Sequence, residues 1–167
     1  MSKEQIYIGV DGGHSGGLCV LQGRKLIEKM TMPVMKTTDS RNEYDYLEIV
    51  KFFEKYPDAI VIFEKAHAMP VLGTVQAFNF GKSFGAMIGI LSALRMRYHI
   101  IHAKTWQNIL LKDQPSGDTK AASKIIAQRL FPEESFVPTE RSKKLHDGLT
   151  DATLLAYYGQ NFLYGNK

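Results

Sequence analysis

Along the start of the chain, apolar positions recur at every second residue. In QIYIGVD (residues 5–11), Ile6, Ile8 and Val10 fall on one side of an extended segment, the period of a strand with one covered face. A second apolar run occupies residues 17–22, and KLIEKMTM (25–32) supplies a third. Two short connections among three strands imply an antiparallel meander. The period then lengthens: a helix is expected from about Glu43 to Tyr56, with Tyr46, Ile49, Val50 and Phe53 inward and Pro57 ending it. In DAIVIFEKAHAMP, a continuous apolar run leads into Glu64, as in a strand covered on both faces.

Residues 74–97 form the longest periodic segment, with Phe80, Phe84, Met87, Leu91 and Leu94 on a broad apolar face. Ala77, Gly81, Gly85, Gly89 and Ala93 recur at every fourth position. Interior glycines weaken a helix by roughly 0.5–1 kcal/mol each relative to alanine, so this ridge predicts close approach to the sheet or to another helix. YHIIHA gives a fifth strand, and AKTWQNILL a short helix with Trp106 at a core or dimer position. The next helix starts near Asp118, a cap, with Ala121, Ala122, Ile125, Ile126 and Leu130 inward, and Pro132 stops it. After an irregular, charged stretch, GLTDATLLAYYGQNFL closes the chain as an apolar-faced helix. Meander strands followed by crossover-connected strands predict a mixed sheet with helices on its faces.

Composition narrows the class. A chain of 167 residues with 44% apolar and 23% charged residues suits a single domain spanning 1–167. No apolar run is long enough to cross a bilayer. The opening MSKEQIYIGV lacks the pattern of an export signal, so a soluble cytoplasmic protein is expected. Cys19, the one cysteine, sits within an apolar stretch and reads as a buried small hydrophobe. A net charge of +4 favours an anionic partner such as nucleic acid.

The chemistry begins with IGVDGGHSGGLCVL (8–21), where Asp11 ends the first strand ahead of paired glycines. The motif alone suits a phosphate-binding turn, a metal ligand or a tight hairpin. Glu64 ends another strand, and Asp147 and Asp151 lie four residues apart at the start of the last helix, on one face. Carboxylates gathered at one sheet edge repel one another, a cost that divalent cations remove. Oxygen ligands suit Mg2+ or Mn2+, and two such ions about 3.5–4 Å apart position a water against a phosphodiester. His146 reads as a ligand, a proton donor or a phosphate contact.

Basic residues crowd the second half. Lys104, Lys120 and Lys124, with Arg141, Lys143 and Lys144, are candidates for phosphate contacts. Phe78 reads either as a buried aromatic, the simpler account, or as a ring placed to stack on an exposed base, and Gln76 and the loop from His67 to Thr74 are placed to reach nucleic acid.

These motifs, from YIGVDGGHSG through VIFEKAHAMP and DTKAASKIIAQRLFP to HDGLTDATLLAYY, resemble the RuvC family of Holliday junction resolvases, especially its short phage-type members. The resemblance implies an α/β ribonuclease H-like fold, with a five-stranded mixed sheet flanked by helices. It makes Asp11, Glu64 and Asp151 metal ligands and Lys120 the preferred phosphate contact. The remaining family acid usually lies three residues before the last one, where this chain has Gly148. Asp147 is the natural substitute, with His146 as the alternative. The resemblance further implies a homodimer that nicks a four-way DNA junction at paired sites, other branched DNA being a possible substrate, in the cytoplasm of a bacterial host cell. Competing readings are a ribonuclease H-like nuclease of another substrate class, a noncatalytic nucleic-acid-binding protein and an actin-like ATP-binding protein. The last needs a second related domain, for which a chain without internal repeats leaves little room.

Overall fold

The computed structural model describes residues 4–38, 41–65, 73–114, 117–139 and 141–165. Strands β1 (Ile6–Asp11), β2 (Gly17–Gln22) and β3 (Lys25–Thr31) form the expected antiparallel meander. Two further strands, named β6 (Ile60–Glu64) and β7 (Arg97–Ile101) in chain order, add in parallel on the other side of β1. The sheet order is β3-β2-β1-β6-β7. This is the predicted mixed five-stranded sheet.

Two local expectations change. A small hairpin, β4 (Val34–Lys36) with β5 (Asn42–Tyr44), occupies the region where the first helix was expected to begin. Helix α1 therefore spans Tyr46–Glu54, and its cap Asp45 accepts a hydrogen bond from the Glu48 amide at 3.1 Å. Its buried residues are Ile49, Phe52 and Phe53. Helix α2 (Thr74–Ala93) stops short of residue 97 because Arg95 takes a left-handed conformation, φ 54°, that turns the chain into β7.

The alternation of the strands divides the core into two layers. Ile8, Val10, Val61 and Phe63 pack with α1 and α2 on one face, where Phe63 stacks on Phe84 at a centroid distance of 5.0 Å. Tyr7, Ile60 and Ile62 face the other layer. That layer contains α3 (Ala103–Leu110), α4 (Thr119–Leu130) and α5 (Asp147–Tyr158), which runs on into a π-helical turn at Gly159–Leu163. Period two then assigns Asp11 to the face of Tyr7, and Glu64 to that of Ile60 and Ile62. Both carboxylates are thereby directed to the side of α3, α4 and α5.

Helix α5 lies unusually close to the sheet. A methyl group on Gly9 would fall 1.8 Å from the Ala152 carbonyl oxygen, and one on Gly148 would fall 2.3 Å from the Gly16 carbonyl carbon. The glycines around Asp11 thus admit the backbone of the last helix, and this brings Asp151 to the end of β1.

Among the described residues, no helix is long and apolar enough to cross a membrane.

Candidate active site

Asp11, Lys120, Lys144, His146, Asp147 and Asp151 line a cleft of about 350 Å³, together with Ser15, Pro138, Ser142 and Leu145. Its walls are the β1–β2 turn, the start of α4, and the irregular segment leading into α5. Phe136, fully buried, pins that segment, and its carbonyl accepts a hydrogen bond from the His146 amide at 2.8 Å.

Burial, reinforced by the charges of Asp151 and Glu64, pushes the Asp11 carboxyl up to about 7 against the opposing Gly13 amide and Lys120. Burial likewise pushes Asp151 up to about 6, reinforced by Glu64 and Asp147 and opposed by a hydrogen bond from Ser123 and by Lys120. Such coupling arises when like charges share a poorly solvated site. Asp151 Oδ1 is buried and has no hydrogen-bond partner among the described residues.

Asp147 behaves differently. Its carboxylate lies 2.5 Å from Lys124 Nζ and 3.3 Å from Lys120 Nζ. The hydrogen bond from Lys124 holds its carboxyl below the usual range against the effect of burial, with Lys120 adding to the shift. The two lysines share a face of α4, as their spacing requires. The core face of α4 is rotated from expectation: Ala122, Ser123, Ile126 and Ala127 are buried, while Ile125 is 46% exposed. Ser123 thus faces Asp151, and Lys124 is drawn towards α5. His146 caps α5, its Nδ1 accepting a hydrogen bond from the Leu149 amide at 3.3 Å. Asp147 is the first residue of the helix.

Glu64 accepts a hydrogen bond from Trp106 Nε1 at 2.8 Å. Trp106 is fully buried on α3, which makes it both a core residue and a partner of the site. Sequence spacing points to neither Trp106 nor Ser123, because both contacts depend on how a helix rotates against the sheet.

Among the described residues, no three His, Cys, Asp or Glu side chains are grouped so that they could hold an ion in this arrangement. The donor chemistry nevertheless suits a divalent cation. Asp11, Glu64 and Asp151 interact electrostatically, two of them have raised proton affinity, and one buried carboxylate oxygen lacks a partner. Hard oxygen donors of this kind match Mg2+ or Mn2+.

The other nucleic-acid candidates are spread more widely. Lys144 lines the cleft, while Arg141 and Lys143 are exposed on the same segment. Lys104 is exposed on α3. Phe78 is 70% exposed in the second turn of α2. Gln76 lines a separate hollow of about 410 Å³ with His14, Asn79 and Phe80, next to the β1–β2 turn. The candidate DNA-contacting loop lies largely within residues 66–72, outside the described residues.

No protein-family model matches the sequence, and a search of the curated proteins finds no match to it. Solved structures do resemble it. Thermus thermophilus RuvC in complex with a Holliday junction substrate superposes with a TM-score of 0.64 at 12% identity, over 95% of this chain and 97% of that one. A second Thermus thermophilus RuvC structure gives 0.58 at 14% identity, covering 93% and 96%. The yeast mitochondrial Holliday junction resolvase Ydc2 gives 0.54 at 11% identity, covering 90% and 75%. The chain has the ribonuclease H-like fold of these RuvC-type proteins.

Proposed function

We propose that this protein is a metal-dependent endonuclease that resolves Holliday junctions by hydrolysing paired phosphodiesters. The observation that carries the reading is the electrostatic coupling of Asp11, Glu64 and Asp151 beside a lysine-lined cleft. The junction-bound Thermus thermophilus RuvC, which shares the fold, supports the choice of substrate.

Asp11, Glu64 and Asp151 would hold Mg2+ or Mn2+, two ions per site, which when bound supply Lewis-acid charge at the phosphate oxygens. Asp147 and His146 are the remaining candidates for the fourth ligand. The paired geometry favours Asp147 as the group that orients Lys120 and Lys124. Lys120, with its side chain 71% exposed, is placed to meet a phosphate at the mouth of the cleft. Lys124, Lys104, Arg141, Lys143 and Lys144 extend the positive surface along which DNA strands would run. His146 fixes the first turn of α5, and so the position of Asp151. Phe78 and Gln76, exposed near the start of α2, would meet bases opened at the crossover.

Two matched cuts require two such clefts, so the functional unit is a homodimer. The open glycine face of α2 supports this: among the described residues, a methyl group added at Gly81, Gly85 or Gly89 would meet nothing within 4 Å. The expected close approach to this chain's own sheet or helices is therefore not made, and the ridge is available to a second copy.

The decisive test incubates purified protein with four-way junctions, linear duplex, single strands and RNA/DNA hybrid in Mg2+ or Mn2+. Paired cuts in the junction should predominate, and both chelation and Glu64→Gln should abolish them. Cleavage of RNA/DNA hybrid alone would favour another ribonuclease H-like activity; junction binding without metal-dependent cleavage would favour a noncatalytic role.

A further inference from the structure

Trp106 is the only tryptophan in the chain, and its side chain has no solvent exposure. A buried indole N–H needs an acceptor, and in most folds a backbone carbonyl or another neutral group serves. Here the acceptor is Oε2 of Glu64. The contact joins α3 to the end of β6, at residues 42 positions apart in sequence.

The choice of donor has a chemical consequence. Lys120 and Lys124 orient Asp147 but cancel much of its charge. An indole orients a carboxylate while contributing no formal charge, so Glu64 keeps the negative charge that a cation requires. A glutamate side chain gives up about 1.5–2 kcal/mol of rotamer freedom when it is fixed. Packing of the indole within the α3–α5 layer makes that ordering part of folding instead of part of ligand binding.

We propose that Trp106 is the positioning residue of Glu64, holding its carboxylate ready for a divalent cation, so that its indole senses occupancy of the carboxylate cluster. This rests on the metal-binding reading above.

The test needs no turnover. Mg2+ is titrated into the wild-type protein while emission of the sole tryptophan is followed, with excitation beyond the tyrosine band, and binding is measured in parallel by calorimetry. A saturable change in emission is expected at the affinity found by calorimetry, and Glu64→Gln should remove it. Trp106→Phe keeps an aromatic ring but deletes the donor; it should weaken Mg2+ binding roughly tenfold or more, within the range typical of lost outer-shell partners. Its affinity for junction DNA in EDTA should match wild type, a result that general unfolding would not give. If calorimetry detects Mg2+ binding while emission stays constant, or if Trp106→Phe binds Mg2+ as tightly as wild type, the positioning role is overturned and the metal site stands. If calorimetry finds no Mg2+ binding to the wild type, the metal reading falls and the proposal falls with it.

Discussion

Asp11 and Asp147 are both carboxylates on one cleft, yet their surroundings shift them in opposite directions. Asp147 is held ionised by two lysines, whereas burial and like charges push Asp11 to about 7 and Asp151 to about 6. For the raised pair, the folded state binds protons more tightly than the unfolded chain, where each group titrates near 3.8. The two groups therefore impose no penalty below about pH 4, and stability falls as pH rises through the window up to about 7. The expected loss in chelator is on the order of a few kcal/mol. Thermal denaturation in EDTA should give a lower Tm at about pH 8 than at about pH 5, and Asp11→Asn should flatten the difference. Added Mg2+ should raise the Tm most at the higher pH, since ionised carboxylates bind it best. A pH-independent contribution from Asp11 would show that its burial is compensated in the fold. At this scale, Asp11, Glu64 and Asp151 are legible in the sequence because each stands at a strand exit or on a helix start, positions that period and spacing define. Trp106 and Ser123 are not legible, because their roles follow from contacts between elements distant in sequence.

At the scale of elements, residue 148 has no room for a side chain. Gly148 lies against the backbone of Gly16, and a methyl group on Gly17 would fall 2.7 Å from the Gly148 carbonyl oxygen. Backbone cannot yield as a flexible side chain can, so any side chain at 148 must lift α5 from the β1–β2 turn. Gly148→Asp should therefore cost at least ~1–3 kcal/mol through overpacking, seen as a lower Tm. It should also lose cleavage, because Asp151 moves with the helix. A variant with unchanged Tm and stronger Mg2+ binding would show instead that α5 has room for the extra ligand. The same close approach marks where sequence reading works at this scale. The glycines flanking Asp11 are visible in the chain, but whether they serve a phosphate, a hairpin or a helix depends on what packs against them. The rotation of α4, with Ile125 outward and Ser123 inward, is likewise hidden: an Ala/Ile stripe fits two neighbouring faces equally well, and α5 selects between them.

For the molecule as a whole, the open ridge of α2 poses an energetic question that the single chain does not answer. Three interior glycines weaken the helix by roughly 0.5–1 kcal/mol each relative to alanine, and among the described residues no atom outside the helix approaches Gly81, Gly85 or Gly89 closely enough to require their small size. The same helix exposes Val75 and Phe78 at 64% and 70% near its start. Apolar side chains and a flat ridge on one element suit a close helix-to-helix contact between two copies, which would give each assembly the two clefts that paired cutting demands. Gly85→Ala separates the possibilities. On an isolated chain the substitution should stabilise by roughly 0.5–1 kcal/mol. In a dimer packed through this ridge, the added methyl groups should hold the helices apart, weaken association measured by sedimentation, and reduce coordinated cutting of the two junction strands while leaving single nicks. A variant that is more stable, equally dimeric and equally able to make paired cuts would place the contact between copies on another surface. The distinction reaches back to the chemistry, because in such a dimer the joining surface would set the spacing of the two carboxylate clefts, and that spacing would decide which junction geometry can present a phosphate to both.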